Sequence, residues 1–95
     1  MGMKEAYQEK MDAQLKTWSV EIDRLKAKAA NAKADVKIDY EKHLAELRAR
    51  HSDAHSKLDD IKRASTAAWE ELKTGSEMAF DQMHQSLKSA AAKFK

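Results

Sequence analysis

Cysteine and proline are absent from this chain, and glycine occurs only at Gly2 and Gly75. Without cysteine there is neither a disulfide framework nor thiol chemistry. Without proline, and with glycine so scarce, the residues that most often stop a helix are almost missing. Aromatic residues make up only 6%, and no apolar run nears the ~20 residues of a membrane span. The opening Met1-Gly2-Met3-Lys4-Glu5-Ala6 lacks the hydrophobic core of a secretory signal, and Ala6 stands where a myristoylation motif has Ser or Thr. The expected location is cytoplasmic. Eighteen Lys and Arg are interspersed with sixteen Asp and Glu, for a net charge of +2. No basic arm or acidic tail stands out along the chain, so no nucleic-acid partner is expected.

What the chain does have is periodicity. Leu25, Val36, Leu47, Leu58, Trp69, Phe80 and Ala91 recur every eleven residues. Tyr7, Trp18, Ala29, Tyr40 and His51 form a second row, and Ile61, Leu72, Met83 and Phe94 a third. Eleven residues make about three turns of α-helix, so each row is a nearly straight line along a helix. The period-two alternation of a strand is missing. Low hydropathy (mean −0.82) with 36% charged residues would also fit a disordered chain, but disordered chains are rich in proline and lack ordered apolar spacing. The fold class is all-α, one helical domain over residues 1–95.

Small residues fill the stripe from Ala27 to Ala34, which makes this the weak middle of any packing. Near Arg50–His55 the stripe changes side. The Tyr7 row continues as Lys62, Lys73 and His84, whereas the polar line Lys28, Asp39, Arg50 continues as Ile61, Leu72, Met83 and Phe94. A turn or kink is expected near residues 63–66, where Lys62 and Arg63 precede Ser65 and Thr66, and Glu70 and Glu71 follow. Such an order suits the helix dipole on both sides of a boundary. A helix over about 3–62 and a shorter one over about 66–94 result. A break at Gly75 and an unbroken rod of about 140 Å are the alternatives. Asp12–Lys16, Glu46–Arg50 and Asp59–Arg63 are expected to pair at i,i+4.

Sites for chemistry are sparse. His51 and His55 are four apart, with Asp59 one turn on, which is half of a metal site by spacing. Ordinary residues at the edge of the stripe are the favoured reading, so neither metal nor cofactor is assigned. Asp59-Asp60 and Glu70-Glu71 point about 100° apart on a helix and do not converge. No phosphate loop or nucleophile motif is present. The expectation is not an enzyme.

The stretch Lys33–Lys42 within Lys26–Leu58, and the stretch Ala64–Lys73, resemble a group of small, functionally uncharacterised bacterial coiled-coil proteins. Thr66 and Ala67 stand where members often have Gly and an acid. The resemblance implies helical coiled coils and carries no activity or catalytic residues. The eleven-residue (hendecad) rows are also similar to those of apolipoproteins and stress-protective helical proteins.

A lone helix of this length would show a long apolar band to water, which soluble monomers rarely do. The expected function is therefore that of a self-associating coiled-coil scaffold or interaction protein, a homo-oligomer with a dimer favoured. Its expected interface comprises Tyr7, Trp18, Ile22, Leu25, Val36, Tyr40, Leu44, Leu47, Leu58, Ile61, Trp69, Leu72, Phe80, Met83, Leu87 and Phe94. The partner is self, or another helical protein or a lipid surface. The alternative function is that of an amphipathic protein coating membrane, lipid or granule surfaces through Trp69, Phe80 and Phe94.

Overall fold

The apolar rows do not stay on one rod. In the computed structural model, which describes residues 2–94, the chain folds back twice. Helix α1 spans Met3–Ala30, α2 spans Ala34–Arg63 and α3 spans Trp69–Lys93. The first and last residues of the expected 1–95 domain lie outside the described residues. Two reversals make α1 and α3 parallel to each other and antiparallel to α2. The bundle measures 51 × 19 × 18 Å, about the length of one helix rather than of a 140 Å rod.

The expected helix over 3–62 is thus two helices. Asn31 ends α1: its backbone N–H donates to the Lys28 carbonyl at 3.2 Å, and that of Ala32 to Ala29 at 3.1 Å. The Asn31 side-chain amide donates to the Ala27 carbonyl at 3.2 Å. Three carbonyls orphaned by the helix end are satisfied in this way without glycine or proline. Turning here sacrifices little, because the Ala-rich stretch would bury little area in any case. It brings the large side chains of α1 onto those of α2, each worth roughly 1.5–3 kcal/mol when fully buried.

The second reversal runs from Ala64 to Ala68. The Lys4 ammonium donates to the Ala64 carbonyl at 2.6 Å and to that of Lys62 at 3.4 Å, closing the carbonyl end of α2. Ser65 opens the next helix, its hydroxyl accepting the Ala68 N–H at 3.2 Å and its carbonyl the Trp69 N–H at 3.1 Å. Gly75 lies inside α3 and breaks nothing.

Residues expected to seat a second chain instead form this chain's own core. Of that set, Val36 and Leu72 are exposed and Leu87 is half-buried, while the rest are buried. Leu15, Ala29, Ala54, Ala79, Ala90 and Ser76 join them. Leu15 escapes the sequence reading because its eleven-residue line runs through Lys4, Lys26 and Lys37. All six aromatic residues pair between helices. Tyr7 meets Trp69 at 5.8 Å between ring centres, Trp18 meets Phe80 at 5.4 Å, and Tyr40 stacks on Phe94 at 4.1 Å. Such pairs add about 0.5–1.5 kcal/mol beyond their area.

The expected i,i+4 partners are exchanged for others, two of them on a neighbouring helix. Asp12 pairs with Lys62 at 3.0 Å and Arg50 donates to Gln82 at 2.9 Å, while Arg63 pairs locally with Asp60, three residues back, at 3.1 Å. Asp59 pairs with His55 at 3.2 Å.

Candidate functional site

The histidine pair is pulled apart by its surroundings. His51 Nε2 lies 2.9 Å from the Leu15 carbonyl of α1; since a carbonyl only accepts, that nitrogen carries the proton and is not free to ligate. The His55 ring faces Asp59 on the exposed side, 3.2 Å from Nδ1 to the carboxylate. One ring turns to a neighbouring helix and the other along its own. Among the described residues, no group of three or more His, Cys, Asp or Glu side chains is arranged to hold a metal. His43 lies 3.7 Å from Asp39 and 3.5 Å from the Lys93 ammonium.

Polar chemistry inside the bundle is concentrated at Tyr7 and Ser76. The Tyr7 hydroxyl donates to the Ser76 hydroxyl at 3.0 Å, and Ser76 is fully buried. Burial pushes the Tyr7 phenol above its ordinary value of 10.0, and the nearby Glu77 carboxylate pushes in the same direction, against the Ser76 hydrogen bond. Tyr40 donates to the Lys93 carbonyl at 3.1 Å, tying the end of α3 to the start of α2. Among the described residues, every buried side-chain nitrogen and oxygen has a partner.

The surface has two features that a reading along the chain misses. The first is a seam. Helix α2 packs closely against both neighbours, but α1 and α3 approach each other sparsely. The Tyr7–Trp69 and Trp18–Phe80 pairs explain this, because tilted aromatic rings between the two helices hold their backbones apart. An open groove of about 340 Å³ remains along the seam, with Met11, Trp18 and Phe80 as its floor and Lys10, Gln14, Glu77, Asp81 and His84 among its rim. Farther along, the Lys73 ammonium sits 5.6 Å from the Tyr7 ring centre and 5.8 Å from that of Trp69.

The second feature is charge polarity. First turns of α1 and α3 carry Glu5, Glu70 and Glu71, and their last turns carry Lys28 and Lys93, as the helix dipole favours. Since α1 and α3 are parallel, both sets of acids fall at one end of the bundle and both sets of bases at the other. Residues 24–37 carry Arg24, Lys26, Lys28, Lys33 and Lys37 against the single acid Asp35; residues 82–94 carry Lys88 and Lys93 and no acid. At the opposite end, Lys62 and Arg63 are occupied by Asp12 and Asp60, and Lys4 by carbonyl oxygens. The end of the bundle that holds Asn31 and Phe94 therefore carries an excess of bases, while at the other end acids and bases nearly balance. Local composition along 24–37 was the one signal available beforehand.

Trp69, Phe80 and Phe94, the face expected to meet lipid, are buried in the core. Among the described residues, no helix is long and apolar enough to cross a membrane. No protein-family model, curated protein or solved structure matches the chain.

Proposed function

We propose that this chain is a non-enzymatic interaction protein, a helical bundle that works by receiving another helical surface, first of all that of a second copy. The observation that carries the reading is the seam between α1 and α3, with an apolar floor and a charged rim. Of the three helix pairs, α1 and α3 approach each other least closely. The buried hydroxyls of Tyr7 and Ser76 are engaged with each other, which supports a structural use of the interior. The resemblance to small coiled-coil proteins, and a cytoplasmic setting, belong to the same proposal.

Light scattering tests it together with circular dichroism. The expected result is a mass above 10.8 kDa that falls on dilution while the helical signal is kept, because each chain is folded by its own core. A helical species of one chain's mass at every concentration overturns it. A second reading, attachment to an anionic membrane, lipid or granule surface, draws on the basic pole around Lys26, Lys28, Lys33 and Lys37. It calls for retention on anionic vesicles with no change in mass.

A further inference from the structure

We infer that the groove between α2 and α3, filled by the chain's own α1, also accepts the α1 of a second copy, with the α1–α2 turn straightening to release it. The inference rests on the self-association proposed above and names the segment that each copy lends the other, without using the seam. It starts from the turn itself. Lys33 leaves the helical region in ψ alone, at φ −65° and ψ 152°, and Asn31 lies near that region at φ −96° and ψ 1°. No described residue has a positive φ, so nothing in the turn relies on a left-handed backbone. No side chain caps the start of α2, and the N–H groups of its first turn gain carbonyl partners once the helix is continuous. Alanines on both sides of the turn favour that helix. The second turn is different, because Lys4 reaches the carbonyls of Lys62 and Ala64 and the Ser65 hydroxyl accepts the Ala68 N–H.

The apolar spacing runs through the turn unbroken. Ile22, Leu25, Ala29, Ala32, Val36 and Tyr40 follow at steps of three or four, which is one face of one helix. Folded back, the chain buries most of these but leaves Val36 37% exposed beside the turn. Straightened, α1 and α2 form one helix from Met3 to Arg63, about 90 Å long, with the buried residues of both along one side. Two such helices lie antiparallel about a two-fold axis near the turn, each α1 on the α2 and α3 of the other copy. Every contact that α1 makes within one chain is then remade between chains, so the occupant fits because its sequence is the same. Ala29 and Ala32 are small enough to let the two helices approach closely where they meet at the axis. The result is a rod close to twice the 51 Å length of the single chain. Like charge resists it, since Lys28, Lys33 and Lys93 of both copies draw near the junction, and salt screens that repulsion.

Ala34→Pro tests the proposal. Ala34 is the exposed first residue of α2. Proline suits that position, and Lys33 before it is already extended, whereas proline inside a continuous helix breaks the ladder. The variant should keep its helical signal and dimerise at least about a hundredfold more weakly than the wild type, both refolded from urea at high concentration. Asn31→Ala should shift the balance towards the dimer, because it removes the bond to the Ala27 carbonyl and favours helix. A second measurement reports which chain supplies α1. The chain has no cysteine, so Asp12→Cys with Lys62→Cys, replacing a pair that joins α1 to α2, gives a short bis-maleimide one place to react. On a denaturing gel, cross-linking should join two chains in the dimer fraction and leave one chain's mass in the monomer fraction. Dimers linked only within chains, or an Ala34→Pro variant that dimerises as well as the wild type, overturn the exchange and leave self-association standing. Dimers that dissociate as salt is raised likewise overturn the exchange. A wild type of one chain's mass at every concentration overturns both.

Discussion

The Tyr7 hydroxyl on α1 and the Ser76 hydroxyl on α3 meet at 3.0 Å inside an otherwise apolar core. The two residues are sixty-nine apart in sequence, and each is the buried polar partner of the other. Together with the aromatic pairs, they set the register between two helices whose backbones approach sparsely. A buried hydroxyl without a partner is costly, so a shift of one helix past the other would be penalised.

Removing one member of that pair should therefore cost more than removing both. Tyr7→Phe leaves the Ser76 hydroxyl without its partner, at a cost of about 1–3 kcal/mol. Ser76→Ala strands the phenol to a similar extent. The double variant should fall well short of the sum, with a coupling of about 0.5–3 kcal/mol in urea unfolding. Strict additivity would show that the hydroxyls act independently.

Alkaline stability follows from the same residue. Tyr7 has a folded pKa above its unfolded value of 10.0, so between the two the folded state holds the proton more firmly. Its contribution is fully present below about pH 10 and is lost as pH rises through the folded value. Unfolding free energy should thus decline above pH 10 more steeply in the wild type than in Tyr7→Phe. Equal slopes would contradict the assignment.

Gly75 is a site for stabilisation. It lies within α3, and a Cβ built there meets nothing within 4 Å. Gly75→Ala should raise stability by about 0.5–1 kcal/mol through reduced freedom of the unfolded chain. A loss of stability on thermal melting would show that the helix needs glycine there.

Leu47 and Leu72 separate the intrachain core from the surface. Leu47 is 1% exposed and Leu72 is 40% exposed. Leu47→Ala should cost about 2–5 kcal/mol, and Leu72→Ala within about 0.5 kcal/mol of zero. Similar penalties at the two positions, measured by denaturant unfolding under dilute conditions, would contradict this division.

Zinc should leave the melting temperature unchanged, because the His51 ring turns to α1 and the His55 ring to Asp59, and among the described residues no three potential ligands converge. A rise at micromolar zinc, absent from the His51→Ala/His55→Ala variant, would restore the metal reading, since a ligand bound only by the folded state must stabilise it.

Helical character and most of the core were legible in the residues themselves. Side-chain period is a local property, so the rows through Leu25, Leu47 and Trp69 can be read wherever the helix goes. Ser65 could also be read as the start of a helix, since its signal is a hydroxyl placed a few residues ahead of acids. Asn31 could not, because a carboxamide among alanines is a mild propensity effect that becomes a stop only when the folded-back chain rewards it. Leu15 was hidden for a related reason: on a line of lysines, its burial depends on where α2 lies.

Composition and spacing thus determined that this protein is helical, with one apolar face and charges on the others. Tertiary structure alone decided that the face is covered by the chain itself, that Asp12 prefers Lys62 to Lys16, and that the bases ending α1 and α3 gather at one end of the bundle. Helix formation depends on neighbours within a few residues. Where a helix folds back depends on the area buried against distant residues, which no local pattern encodes.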